Sequence, residues 1–360
     1  MRIGVLNSGG DCPGLNAVIH GVVGAAAANG WEAIGLHDGF EGLLMGDEGY
    51  RVLIPKDTQG ILKLGGTILG TTNKGNFAAK LGEGDDVACV PAEIVNRAKA
   101  RLDELGIDGL VVVGGDGSLT TAQQLFEEGW PIIGVPKTID NDLTATAMTF
   151  GFDSAVQCVV DNLDRLQTTG ASHKRVMVLE VMGRHAGWIG LYGGIAGGAN
   201  IILLPEIPFS YEKIAQTIKE READGYTSSL VVVAEGAKSP EGLLSTINSN
   251  DGGQARLGGI GEQVAEGIER LTDKETRCTT LGHVQRGGSP TALDRILGVR
   301  FGAMAAQLAA DGKFGEMVSY QSYHVDSVPI KEAVKHLRLV EPGSEVVMAA
   351  RAIGTCFGDE

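Results

Sequence analysis

Three stretches of the chain crowd glycine and aspartate together: NSGGDCPGLN (Asn7–Asn16), GGDGS (Gly114–Ser118) and PKTIDND (Pro136–Asp142). Glycines where a strand gives way to a helix leave backbone N–H groups open to a ligand, and the helix N-terminus behind them favours negative charge. In the first stretch Gly9, Gly10 and Gly14 surround Pro13, which makes either a nest for a terminal phosphate or a tight turn that seats a helix on its sheet. In the second, Asp116 stands between Gly115 and Gly117, with Ser118 next. A carboxylate there repels phosphate unless a divalent cation lies between them, and magnesium is the natural one. In the third, Thr138, Asp140 and Asp142 alternate, so an extended backbone would turn all three toward one face. Carboxylates at this density hold a metal or handle a proton. Neither a Walker A sequence nor a GxGxxG fingerprint is present.

Basic and polar groups follow in HKR (His173–Arg175), EVMGRHAGW (Glu180–Trp188), AEGA around Glu235, and ETRCTTLGHVQRGGSP (Glu275–Pro290). Arg184, His283 and Arg286 each come after an apolar run and adjoin a glycine turn, which places them at strand ends like the acidic loops. Planar guanidinium forks suit phosphate oxygens. Taken singly, each of these side chains could equally be a solvated arginine or a hydrogen-bonded core histidine.

The elements that must hold these loops are legible as short apolar runs. RIGVLNSGG, WEAIGLHDG, GLVVVGGDG, PIIGVPKT, RVMVLEVMG, NIILLPE, SLVVVAEGA and TRCTTLGHV recur, most of them continuously apolar, as strands covered on both faces should be. Helical segments lie between them at Leu15–Asn29, Ala92–Leu105, Ser154–Leu166, Tyr211–Asp224 and Gly261–Leu271, several closed by glycine. The alternation predicts an α/β protein with mainly parallel sheets, whose ligands gather outside the carboxyl ends of the strands. The 360 residues, 43% hydrophobic and 21% charged, suffice for two packed halves. A net charge of −15 argues against nucleic acid as a partner. No apolar run reaches the length of a membrane span, and Met1 leads straight into a strand, so a cytoplasmic protein is expected. Five scattered cysteines without a CxxC pair indicate reduced thiols. Cys12, beside Asp11, is a small residue filling a turn or, alternatively, a redox-sensitive thiol.

Taken in order, SGGDCPGLNAVIHG, GGTILG, GGDGS, PKTIDND, FGFDSA, VMGRHAG, AEGA and LGHVQRGGSPTALDR resemble the 6-phosphofructokinase family over nearly the whole chain. The resemblance implies two Rossmann-like three-layer α/β domains with the active site in the cleft between them. Residues 1–151 plus 285–335 would bind the donor nucleotide, and 152–284 plus 336–360 would bind fructose 6-phosphate. It further implies a homotetramer, or a homodimer, with shared sites. Gly10 would lie in the loop holding the donor's terminal phosphates, with Gly115, Gly117 and Ser118 beside it. Asp116 and Asp142 would serve Mg2+, Asp140 would be the general base on the sugar 1-hydroxyl, and Thr138 would orient the transferring phosphoryl group. Met182, Gly183, Arg184, Glu235, His283 and Arg286 would hold fructose 6-phosphate, with Arg175 and Arg277 supplied by a neighbouring subunit.

The donor turns on two positions. In this family a small residue at Gly117 leaves room for the α-phosphate of ATP, whereas Lys137 is the choice of pyrophosphate enzymes. ATP is the reading adopted, with pyrophosphate or ADP the alternative. Asn73 stands where bacterial ATP enzymes of the family carry an arginine, with Lys74 as a possible substitute, and Phe40 stands where a tyrosine commonly faces the donor. The effector pocket of regulated bacterial members has lost its basic residues, which are here His20, Gly24, Gln167, Asp224 and Tyr226, and its metal-binding glutamate, here Asn200. NAD kinases and lipid kinases share the GGDG turn but lack the TIDND and HVQRGG elements. A non-catalytic sugar-phosphate sensor would be expected to have lost one of Asp116, Asp140 and Asp142.

Overall fold

The apolar runs become strands because each can be covered on both faces. In the computed structural model, which describes residues 1–77, 80–81, 87–238, 242, 246–247 and 256–359, Gly109–Gly114 and Val176–Val181 are buried at every position. The chain forms two units, Met1–Ser154 with Arg286–Leu337, and Ala155–Gln285 with Arg338–Glu360.

The first unit contains β1 (Arg2–Asn7), α1 (Leu15–Ala28), β2 (Glu32–Leu36), β3 (Tyr50–Leu53), a short ribbon of β4 (Lys80–Leu81) with β5 (Val87–Ala88), α2 (Ala92–Glu104), β6 (Gly109–Gly114), α3 (Asp116–Glu127) and β7 (Ile132–Pro136). Helix α4 (Phe152–His173) begins there. The chain returns with α8 (Ala292–Ala310), β14 (Glu316–Gln321), β15 (His324–Pro329) and α9 (Ile330–Ala333). Seven strands align in the order β15-β14-β7-β6-β1-β2-β3. The interior is parallel, while β3 and β15 run antiparallel as the two edges. Loops after β1, β6 and β7, three adjacent parallel strands, therefore emerge at one end of the sheet. Leu6, Ile34, Leu110, Val112, Trp130 and Ile132 belong to the core of this unit.

Helices α1 and α8 cover the sheet as a pair with their backbones in contact. A Cβ on Gly302 would lie 2.3 Å from the Val18 carbonyl oxygen, and one on Gly21 would lie 2.4 Å from that of Val299. Only glycine allows such an approach.

The second unit holds β8 (Val176–Val181), α5 (Trp188–Ala196), β9 (Ile201–Leu203), α6 (Tyr211–Ala223), β10 (Ser229–Ala234), a ribbon of β11 (Thr246–Ile247) with β12 (Arg256–Leu257), α7 (Ile260–Thr272), β13 (Thr276–Thr280) and α10 (Glu345–Ala352). Its sheet is parallel, in the order β13-β8-β10-β9. Val178, Ile201, Val231, Val233, Ile260 and Val264 form the core on one face. Beyond α10 the chain lays Cys356 beside Ile201 and buries Phe357 completely.

FGFDSA and TALDR, two motifs without a chemical role in the sequence reading, meet inside the first unit. Asp294 is fully buried; its Oδ2 accepts the Ser154 amide at 2.8 Å and hydroxyl at 2.6 Å. The Thr291 hydroxyl in turn donates to Asp153 at 2.5 Å. Burial pushes the Asp294 carboxyl up to about 6, against the two Ser154 hydrogen bonds that favour the charged form. Because the folded value lies above the unfolded one, the native state holds this proton more tightly. The associated stability is fully present below the unfolded value of 3.8 and is lost as pH rises through about 6. The total corresponds to about 3 kcal/mol, of which about 1 kcal/mol falls between roughly pH 5 and pH 7. Asp294→Asn should remove that share of the slope in urea unfolding at the two pH values. An unchanged slope would assign it to other groups.

Candidate functional site

In the first unit the loop after β1 is a preformed cradle. Gly9 has φ 84°, and a Cβ there would come within 3.0 Å of the Ser118 hydroxyl oxygen. The Gly9 amide donates to the Thr72 carbonyl at 3.0 Å, and the Thr71 hydroxyl donates to the Gly9 carbonyl at 2.7 Å. The Thr71–Asn76 segment is thus tied to this loop, with Asn73 and Lys74 exposed beside it. Glu41 anchors the far end by accepting the Asn76 amide at 2.5 Å and the Phe77 amide at 3.2 Å. Phe40 does not face outward. It is 1% exposed and stacks on Phe77 at 5.3 Å between ring centroids, because a ring without a hydroxyl has nothing to gain at a wet surface.

Two cations converge on the same loop. Lys137 donates from Nζ to the Gly10 carbonyl at 2.5 Å and is only 4% exposed. Burial pushes its pKa down, and the nearby Arg286 charge adds to that, while Cys12, Asp11 and Asp140 oppose it. Arg286 donates to the Asp11 carbonyl at 3.4 Å, and a Cβ on Gly10 would lie 3.1 Å from its Nη1. Arg286 therefore belongs to the glycine loop of the first unit. Cys12 is fully buried and burial pushes its thiol up to about 12, which fits the turn-filling reading and not that of a reactive thiolate.

Pro136–Asp142 is not a continued strand. β7 stops at Pro136 and Asn141 takes φ 52°. The Asp140 amide donates to the Thr138 hydroxyl oxygen at 3.0 Å, and the Thr149 hydroxyl donates to the Thr138 carbonyl at 2.7 Å. Exposure nevertheless alternates: Ile139 and Asn141 are buried, while Thr138, Asp140 and Asp142 are half-buried. Gly115 caps α3 and Asp116 opens it. Burial pushes the Asp116 carboxyl above its usual range, and the Asp142 charge adds to the rise. Two carboxylates whose charges are felt in this way are a site that a divalent cation relieves.

In the second unit, the loop Met182–Gly187 connects β8 to α5. The Met182 amide donates to Gln285 Oε1 at 3.4 Å, and the Gly236 amide donates to the Gly183 carbonyl at 3.1 Å. Glu235 stands next to that contact, its amide bonded to the Val181 carbonyl at 2.8 Å. A Cβ on Gly236 would lie 2.0 Å from the Arg184 carbonyl oxygen, so AEGA must carry glycine for the two loops to meet. Met182 and Gly183 are buried, Arg184 is half-buried, and His283 is exposed on the 3₁₀ turn Gly282–Arg286. Elsewhere on this unit Glu275 forms ion pairs with Arg175, at 2.6 Å, and with Arg277. These arginines hold the Glu275 carboxyl below its usual range, Arg175 foremost.

The sequence pattern of the family described as Phosphofructokinase matches residues 2–309. The chain belongs to the phosphofructokinase family. It is 53% identical over 359 residues to an ATP-dependent 6-phosphofructokinase of Chloroflexus aurantiacus, covering 100% of this chain and 98% of that one. It is 46% identical over 346 residues to the pyrophosphate–fructose 6-phosphate 1-phosphotransferase of Amycolatopsis methanolica, covering 95% and 97%. The phosphofructokinase structure from Saccharomyces cerevisiae matches with a TM-score of 0.80 and 31% identity, over 93% of this chain and 45% of that one. The α/β fold with mainly parallel sheets is thus the family's.

Three features of the site lay outside the sequence reading: the Lys137 bond to Gly10, the Glu275 bridge and the Glu41 anchor. Glu275 had a signal, since it sits two residues before Arg277 in ETR and alternate residues on a strand share a face.

Proposed function

We propose that the chain is an ATP-dependent 6-phosphofructokinase, transferring the terminal phosphoryl group of ATP to the 1-hydroxyl of fructose 6-phosphate in the cytoplasm. The observation that carries this reading is the group Asp116, Asp140 and Asp142, intact beside a cation-braced glycine loop in a member of this family. Asp140 takes the proton of the sugar hydroxyl as its oxygen attacks phosphorus in line, and ADP leaves. The Thr138 hydroxyl, already accepting the Asp140 amide, has its proton free to donate to the transferring group. Gly10 lies in the loop that holds the terminal phosphates of the donor, and Arg286 adds positive charge where negative charge spreads. Asp116 and Asp142 would hold Mg2+, which supplies neutralisation of the donor phosphates. Met182, Gly183, Arg184, Glu235 and His283 bind the sugar phosphate. Arg175 and Arg277, joined by Glu275, are offered to a neighbouring subunit of a homotetramer or homodimer.

A second reading, pyrophosphate as donor, is favoured by Lys137 and Asn73 and by the Amycolatopsis methanolica relative. The test is product formation from fructose 6-phosphate and magnesium with ATP, ADP or pyrophosphate as sole donor. Turnover with ATP alone is expected. Turnover with pyrophosphate alone would reverse the donor assignment and leave the acceptor in place.

Allosteric inhibition through the usual effector pocket is not expected. The surface cavity lined by Gln167, Asn200, Arg221, Tyr226, Thr227 and Ser228 is about 510 Å³. Among its described lining residues Arg221 is the cation, and it already stacks on Tyr226 at 4.5 Å and donates to the Ser229 hydroxyl at 3.2 Å. Phosphoenolpyruvate and ADP should leave the fructose 6-phosphate saturation curve unshifted. An inhibition that disappears in Tyr226→Ala would show the pocket to be functional.

A further inference from the structure

We propose that Glu206 is a positioning residue of the sugar-phosphate site, fixing the far end of the Met182–Gly187 loop through two backbone amides; this rests on the assignment of Met182, Gly183 and Arg184 to fructose 6-phosphate. Glu206 follows β9 in NIILLPE, a run the sequence marks only as a strand. One carboxylate oxygen, Oε1, accepts the Gly187 amide at 2.9 Å and the Val340 amide at 2.8 Å. The other oxygen is buried with no hydrogen-bond partner. A Cβ on Gly187 would lie 2.9 Å from that oxygen and 2.8 Å from Leu204 Cδ2, so the carboxylate lies flat against the Gly187 backbone.

Gly187 is where the loop becomes helix α5. The near end of the loop is held by Gln285 and Gly236. Arg184 stands between these fixed points, and its placement depends on both. The Val340 bond adds the returning C-terminal segment, which is also docked by the Trp188 indole donating to the Arg338 carbonyl at 2.8 Å and by the Arg338 guanidinium over the Trp188 ring at 4.6 Å. Burial pushes the Glu206 carboxyl up, and the Gly187 and Val340 amides oppose the rise. Among the described residues no ion pair neutralises it. A group kept at that desolvation cost must give something back, and what it gives is a fixed loop end.

The experiment compares Glu206→Ala, Glu206→Gln and Gly187→Ala with the parent enzyme in steady-state kinetics and thermal unfolding. Glu206→Ala is expected to raise KM for fructose 6-phosphate by about tenfold or more, since small misplacements of a binding group are that costly. KM for the donor should stay within about twofold, because the donor residues lie on other loops. Glu206→Gln keeps Oε1 in place and should restore KM to within about threefold of the parent. Gly187→Ala pushes the same loop end and should reproduce the selective loss even if Glu206→Ala fails to fold. Unchanged fructose 6-phosphate KM in both Ala variants overturns the proposal, as does a glutamine variant as impaired as alanine. Equal rises for donor and acceptor, tracking a lowered unfolding temperature, reduce Glu206 to a general structural role. A parent enzyme that neither binds nor turns over fructose 6-phosphate, by calorimetry and assay, refutes the assignment of the loop itself.

Discussion

Asp140→Asn is expected to lower kcat by about 10²–10⁴-fold, the usual worth of a positioned general base. Asparagine has the same shape, so the turn that holds it should survive. That turn rests on backbone and neighbours: the Asp140 amide on Thr138, Asn141 at φ 52°, and the Asn141 side chain accepting the Thr149 amide at 3.0 Å. What asparagine lacks is the ability to take the sugar proton. KM for both substrates should therefore change by less than about threefold, since ground-state contacts are kept while a transition-state contact is lost. Steady-state kinetics beside a thermal unfolding curve check this. A kcat within tenfold of the parent would move the base elsewhere, and a large KM change would mean that Asp140 chiefly binds.

Gly117→Asp should abolish most ATP turnover, by about 10²-fold or more, because like charges brought together cost several kcal/mol. Gly117 is the second residue of α3, and its carbonyl already accepts the Thr121 hydroxyl at 3.2 Å, so the helix itself has no need to change. The new carboxylate would join Asp116, whose own charge is already disfavoured by burial and by Asp142. In the proposed donor site a nucleotide would bring its α-phosphate past this crowd, whereas pyrophosphate has none. Gly117→Ala separates charge from bulk: if alanine is as damaging as aspartate, space decides, and if alanine is mild, repulsion does. Retention of full ATP activity by the aspartate variant would detach donor choice from this position. Lys137 then becomes the residue to change, although its bond to Gly10 means that replacing it also disturbs the loop.

How much of this was legible beforehand depends on what each residue does with its neighbours. β6, β8 and β10 announce themselves because strands buried on both faces are apolar at nearly every position, Glu180 and Ser229 apart. The edges do not. YRVL in β3 is half exposed, and β14 and β15 join at Ser322 and Tyr323, which take φ 47° and 69° without a glycine to mark the turn. The three aspartates stand out by spacing, yet the bend at Asn141 does not, since the alternation of side chains survives it. Lys137 read as a residue that could reach a ligand; its buried bond to Gly10 depends on strands distant in sequence. The segment after Leu337 carries no motif, and outside the short helix α10 its work is done by single contacts, such as those of Arg338, Val340 and Phe357.

The backbone-to-backbone pairing of α1 with α8 also sets an order of events during synthesis. Ala17, Val18 and Gly21 of α1 are made near the start of the chain, while Gly298 and Gly302, which pack on them, come after every described strand of the second unit. At about 5–20 residues per second, a nascent chain waits on the order of tens of seconds between making one helix and the other. Through that interval the face of α1 that carries Ala17, Val18 and Gly21 lacks its cover, whereas β8, β9, β10 and β13 can pair as soon as they leave the ribosome. The stretch from Met1 to Ser154 released alone, without α8, β14 and β15, would therefore be an aggregation-prone fragment, not a domain.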